Sequence, residues 1–180
     1  MKLIGLTGRA GSGKDTAADY LVQNYGFVKY SFAGPLKEML KVIGVDCDNR
    51  DTKERKHPVF GVSPRRMAQT LGTEWMRECI HGSGWVLLAD QFIKTQIELN
   101  NLDDVPQVKG IVISDVRFEN EARFIRSKNG MIIHVVRDTA PVESHASEAG
   151  VKFLDVDRCL MNDKTVPDLQ RRLANIIGDL

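Results

Sequence analysis

Cysteine is scarce in this sequence: three in 180 residues (Cys47, Cys79 and Cys159), no two of them forming a Cys-x-x-Cys pair. An odd number of widely spaced thiols suggests neither a disulfide framework nor a zinc site. Cys159, in Cys159-Leu160-Met161, reads as a small core residue. The four histidines show no metal-ligand spacing, and His134, inside Met131–Val136, reads as a satisfied strand residue rather than a catalyst. An excess of one charge is missing too. Lys plus Arg total 25 and Asp plus Glu 24, leaving +1, which argues against a broad basic face for DNA or RNA. No apolar run approaches the ~20 residues of a membrane span, and Met1–Leu6 is too short for a signal peptide. The expectation is one soluble intracellular domain, acting in the cytoplasm without a nucleic-acid or membrane partner.

What the chain does have is an alternation of short β-rich runs and amphipathic stretches. Strands are expected at Lys2–Thr7, Phe27–Phe32, Gly110–Ser114, Met131–Val136 and Arg158–Met161. Most are continuous apolar runs, as in strands buried on both faces. Helices are expected near Lys14–Asn24, Pro35–Ile43, Pro64–Cys79, Trp85–Leu99, Glu119–Asn129 and Pro167–Ile177. Gly44, Gly130 and Gly178 each follow a helical run as C′ residues, and Thr165–Asp168 has capping-box spacing. Strands separated by helices imply right-handed crossovers, hence a parallel sheet with helices on both faces.

The sharpest motif is Gly8-Arg9-Ala10-Gly11-Ser12-Gly13-Lys14-Asp15-Thr16, directly after an apolar strand and opening a helix. Glycines there let consecutive N–H groups converge on phosphate oxygens, and the helix adds its positive end. Lys14 supplies the point charge for the β- and γ-phosphates. The residue after the lysine, expected to be Ser or Thr for Mg²⁺, is Asp15, with Thr16 next. Either Asp15 faces the metal shell or it turns away and Thr16 becomes the ligand.

A second anion site is suggested by basic helix starts. Gly34-Pro35-Leu36-Lys37 and Ser63-Pro64-Arg65-Arg66 each place Pro at the first turn with cations beside it, an arrangement that opposes the helix dipole unless a phosphate neutralises it. Ile111–Ser114 followed by Asp115 sets a carboxylate at the carboxyl edge of the sheet, where ligands bind. Extended geometry points Asp115 and Arg117 the same way, to hold metal water and acceptor phosphate. Glu119 and Glu121 suit a helix start without any function, and Arg123 and Arg126 read as solvated. Arg137 opens a polar stretch to Gly150 that reads as a lid. Asn162-Asp163 either contacts an adenine base or merely turns the chain.

These segments together resemble the phage-type deoxynucleoside monophosphate kinases, a branch of the P-loop nucleoside monophosphate kinases. The likeness runs over most of the chain: residues 13–16, 28–37, 65–73, 114–117, 121–123, 134–137, 145–150 and 161–163. An aspartate after the loop lysine is usual in that branch. The resemblance implies a three-layer α/β fold, its five-stranded parallel sheet in the order 2-3-1-4-5. It implies one domain over 1–180, with a monophosphate-binding region near 34–100 and a lid near 137–150. The implied reaction is ATP plus a deoxynucleoside monophosphate giving ADP and the diphosphate. Gly11, Ser12, Gly13, Lys14, Asp15, Thr16 and Asn162 would hold ATP, with Mg²⁺ near Asp15 or Thr16. Leu36, Lys37, Arg65, Arg66, Asp115 and Arg117 would hold the acceptor, with Gln69, Gly72 and Thr73 toward the nucleoside. Arg137 would stabilise charge on the transferring phosphoryl. The rivals are a kinase of another small acceptor, such as dephospho-coenzyme A, and a non-catalytic nucleotide-sensing module. A homodimer stays open.

Overall fold

Strand β1 (Lys2–Thr7) ends in four buried residues, Ile4 and Leu6 among them with no exposed surface, and it takes the middle of the sheet. The computed structural model describes residues 1–49, 51–137 and 150–178. In it β1 lies between β3 (Gly110–Val116) and β4 (Met131–Val136), while β2 (Phe27–Tyr30) and β5 (Arg158–Met161) form the edges. Every pairing is parallel, in the order β2-β3-β1-β4-β5, as the resemblance implied.

The chain divides into two compact units. The first comprises Met1–Ser31 and Asp90–Leu180 and contains the sheet; the second is Phe32–Ala89. In the first unit, helices cover both faces. Ile4, Leu6, Val112, Ile133 and Leu160 pack with Ala17 and Leu21 of α1 (Lys14–Tyr25) and with Leu169, Leu173 and Ile177 of the helix that ends the described chain. Each such side chain withdrawn from water contributes on the order of 1.5–3 kcal/mol. On the opposite face, Gly5 leaves room for Ile125 and Ile132, either of which an added Cβ would crowd.

The second unit carries α2 (Gly34–Val42) and α3 (Pro64–Gln69), and α3 runs directly into a π-helical stretch, Thr70–Ile80. One uninterrupted α-helix over Pro64–Cys79 is therefore not what forms. The wider winding closes with His81 N–H on the Met76 carbonyl, an i→i+5 bond. Within it the Gly72 carbonyl accepts the Trp85 indole N–H at 2.8 Å, a long-range partner that residue-by-residue propensity does not register. Helix α4 covers Gly84–Leu99, α5 (Glu119–Ser127) follows β3, and α6 (Val166–Gly178) closes the described chain.

Several expectations about individual residues are corrected. Strand β2 stops at Tyr30, two residues short of Phe32. Cys159 is exposed, because β5 is an edge strand on which Leu160, its neighbour, takes the buried side. After α5 the left-handed residue is Asn129 (φ 58), not Gly130; asparagine tolerates that region, and Gly130 is required instead by its closeness to Ile125 and Leu3. Arg126 is not solvated: its guanidinium binds both carboxylate oxygens of the buried Asp157, at 3.0 and 2.7 Å. The capping pair at the start of α6 forms, the Thr165 hydroxyl donating to Asp168 at 2.6 Å.

Candidate active site

The turn after β1 has a shape only glycine permits at two points. Gly8 (φ 143) passes so close to β4 that a Cβ would overlap the Val135 carbonyl. Gly13 caps α1 with φ 102, and a Cβ there would lie 2.5 Å from the Asn162 amide. Between them the chain folds back on itself, Ser12 N–H bonding the Arg9 carbonyl at 3.1 Å. Lys14 reaches back across the loop, its ammonium donating to the carbonyls of Gly8 (2.7 Å) and Arg9 (2.8 Å).

Asn162 follows the last strand, β5, and meets the loop. Its side chain is nearly buried and donates to the Ser12 carbonyl at 2.8 Å, bracing the loop from beneath. Ser12 itself is buried, and its hydroxyl has no hydrogen-bond partner. An orphaned hydroxyl in a glycine-rich turn whose first carbonyls hold the Lys14 ammonium fits an oxyanion ligand.

A cavity of about 180 Å³ opens over this loop, lined by Thr7, Gly8, Arg9, Ala10, Lys14, Val116, Arg117, His134, Gly150 and Val151. Lys14 and Arg117, far apart in sequence, thus face one space. Arg117 is held there through its backbone. Glu121, itself buried, accepts the N–H groups of Arg117 (2.8 Å) and Phe118 (3.0 Å) with one oxygen. Glu121 therefore fixes the strand-to-helix corner, a role beyond the dipole-friendly acid expected from the sequence.

Asp115 does not line this cavity. β1 and β3 slip register between Gly5 and Thr7, so that Gly5 pairs with Ile113 but Thr7 with Val116. One extra residue in β3 breaks the simple alternation that would pair Asp115 with Arg117. The Asp115 carboxylate instead accepts the Ser31 hydroxyl at 2.7 Å. Nearby, burial and then the charge of Asp115 push the Tyr30 phenol up to about 12. Arg137 is exposed just past β4 and is not part of the cavity lining; most of the expected lid, with His145 and Glu148, lies outside the described residues.

His134, on the far wall, bonds the Asp157 carboxylate through Nε2 at 3.0 Å and packs on the Phe153 ring. Burial disfavours charge on Asp157, but Arg126, the Leu154 N–H and His134 outweigh it and hold the carboxyl below the usual range. Asp15, the departure from the loop motif, is exposed, with Lys29 Nζ at 3.0 Å; the same ammonium lies 2.9 Å from Asp19. Burial opposes the Lys29 charge, and the two carboxylates more than restore it, raising its pKa. Thr16, next along, is half-buried.

In the second unit the basic residues of both helix starts carry carboxylate partners: Lys37 with Asp48 at 2.6 Å, Arg65 with Glu54 at 2.8 Å, and Arg66 with Glu74 at 3.2 Å. The bond to Lys37 holds the Asp48 carboxyl below its usual range. Ser63 caps α3 as expected, accepting the Arg66 N–H. Leu36 is buried with its methyl 3.2 Å from where a Gly72 Cβ would stand, while Gln69 and Thr73 are half-exposed. Among the described residues no group of three or more His, Cys, Asp or Glu side chains could hold a metal ion, and no helix is long and apolar enough to cross a membrane.

A glycine cradle at the carboxyl edge of a parallel sheet, with its lysine and a second cation over one cavity, defines a phosphate-binding α/β protein of the P-loop class. The fold is shared with solved structures: an unliganded sugar kinase from Janibacter sp. HTCC2649 superposes with a TM-score of 0.54 at 13% identity, over 99% of this chain and 95% of that one. The family model described as deoxynucleotide monophosphate kinase matches residues 2–57 and 56–173. A protein of Acanthamoeba polyphaga mimivirus that carries the same family name is 34% identical, over 99% of this chain and 97% of its own length. The deoxynucleotide monophosphate kinase of Enterobacteria phage T4 is 26% identical over 98% and 99%. The chain belongs to the deoxynucleotide monophosphate kinase family, and is a phosphotransferase.

Proposed function

We propose that the chain transfers the γ-phosphoryl group of ATP to the 5′-phosphate of a deoxynucleoside monophosphate, in the cytoplasm. The observation that carries this reading is the joint exposure of Lys14 and Arg117 to one cavity over the glycine loop. The N–H groups of Gly11 and Gly13 and the orphaned Ser12 hydroxyl take the donor's phosphate oxygens. Lys14 exchanges the Gly8 and Arg9 carbonyls it now holds for the β- and γ-phosphates. Thr16 is the residue to hold Mg²⁺, since Asp15 is engaged by Lys29. When bound, that ion neutralises phosphate charge.

The acceptor phosphate is already an anion, so no general base is needed. Its oxygen bonds to the γ-phosphorus as the β–γ bridge breaks, and the bridging electrons leave with ADP. Charge spreads over the transferring group, and preorganised cations stabilise it. Arg117 and Arg137 take that part. Lys37, Arg65 and Arg66 grip the acceptor phosphate, trading Asp48, Glu54 and Glu74 for a doubly charged ligand. Leu36, Gln69, Gly72 and Thr73 border the nucleoside, while Asp115, held by the Ser31 hydroxyl, supports the end of β3 beside the site.

The test is a coupled ADP assay with ATP, Mg²⁺ and each deoxy- and ribonucleoside monophosphate in turn. The proposal expects ADP formation that depends on at least one deoxynucleotide, with the diphosphate as co-product. ADP release indifferent to every monophosphate would exclude it.

A further inference from the structure

Asp15 poses a problem for an ATP site. It puts a carboxylate one residue past Lys14, in the first turn of α1, where a helix N-terminus favours anions and a bound triphosphate would compete for the same field. Left bare, that charge repels the ligand. Asp19, one turn on, adds a second negative charge at i+4, a spacing at which like charges disfavour each other.

Lys29 comes from outside the motif, on the edge strand β2, and stands between these two acids, 3.0 Å from Asp15 and 2.9 Å from Asp19. Its side chain is only 32% exposed, whereas Asp15 is 75% exposed. A lysine serving only to tie α1 to β2 would need one carboxylate, and Asp19 provides it. The Asp15 contact lies at the loop end of the helix.

We propose that Lys29 is a positioning residue for the nucleotide: it neutralises Asp15 and holds its carboxylate toward β2, so that an anionic ligand meets Lys14 and the loop N–H groups without a competing charge. The inference rests on the ATP-site reading above. It assigns Asp15 no metal contact, and it makes Lys29 act through Asp15 rather than on the ligand.

The experiment measures ADP binding by calorimetry in EDTA, where no cation can mediate between Asp15 and the phosphates. At low salt, Lys29→Met should weaken binding by roughly threefold to tenfold. In an Asp15→Asn background the same substitution should cost under about twofold, because the charge it would expose is gone. An Asp19→Asn background should not give that relief. Lys29→Arg should retain binding, and the Lys29→Met defect should shrink at about 0.5 M salt, as exposed charges are screened. Lys29→Gln serves in place of Lys29→Met if the methionine variant does not fold.

An equal loss with and without Asp15, or no loss at all, would overturn the inference. So would a wild-type chain that binds no ADP, which would remove the functional reading as well. The expected binding pattern without turnover of any deoxynucleoside monophosphate would support the inference and overturn the functional reading alone.

Discussion

The side-chain amide of Asn162 donates to the main-chain carbonyl of Ser12 at 2.8 Å, joining the residue after β5 to the middle of the glycine loop across 150 positions of sequence. The bond ties the loop to the end of the edge strand β5. Asn162→Ala should leave a buried carbonyl unsatisfied, costing about 1–3 kcal/mol of stability. It should also raise the KM for ATP more than that for the monophosphate. Chemical denaturation and initial-rate kinetics on the same variant check both parts.

Lys14 offers the most direct charge test of the donor site. Lys14→Met removes the ammonium that now spans Gly8 and Arg9 and should lower kcat by at least ~10²-fold, through lost stabilisation of the transferring phosphoryl. Single-turnover rates at saturating ATP separate this from weaker binding.

The buried Asp157 links β4, α5 and the segment after residue 150, through His134, Arg126 and the Leu154 N–H. Arg126→Met should cost about 3 kcal/mol, since it strands a buried carboxylate. The Asp157 carboxyl titrates below its unfolded value in the folded chain, so the stability it contributes is complete above the ordinary aspartate pKa, about 3.9. That stability is lost as pH falls through the lower folded value. Urea denaturation between pH 7 and pH 3 should show a decline below about pH 4 that is shallower in Asp157→Asn.

Trp85 holds the π-helical stretch by its indole N–H on the Gly72 carbonyl. Trp85→Phe deletes the indole donor and leaves a smaller ring at a buried site, costing about 1–3 kcal/mol for the unsatisfied Gly72 carbonyl plus a cavity contribution. If, as proposed, Gly72 and Thr73 border the nucleoside, the KM for the monophosphate should rise while ADP binding in EDTA stays as in the wild type. Kinetics with the acceptor varied, beside calorimetry, measure the two.

Much of the architecture was legible because its signals are local. The bounds of β1 and β4 follow from their largely apolar runs, and the loop motif sits where a strand must hand over to a helix. What stayed hidden depends on partners distant in sequence. Nothing near Arg126 announces Asp157, and nothing near Ser12 announces Asn162. A lone lysine on an edge strand, as Lys29 is, ordinarily reads as a solvated residue. The slipped register between β1 and β3, which gives Arg117 to the cavity and Asp115 to Ser31, has no sequence mark at all. Serine and aspartate are common at strand ends, and only the neighbouring strand decides which of two adjacent residues is the extra one.

The central claim is that donor and acceptor phosphates are held at once by the glycine loop and by cations outside it. A bisubstrate compound, adenosine and a deoxynucleoside joined 5′ to 5′ through five phosphates, tests it by calorimetry with wild type, Lys14→Met and Arg117→Ala. The account predicts that the compound binds the wild type at least ~10²-fold more tightly than ATP, and that each substitution sharply weakens this binding. Affinity no better than that of ATP, or affinity unchanged in Arg117→Ala, would contradict it.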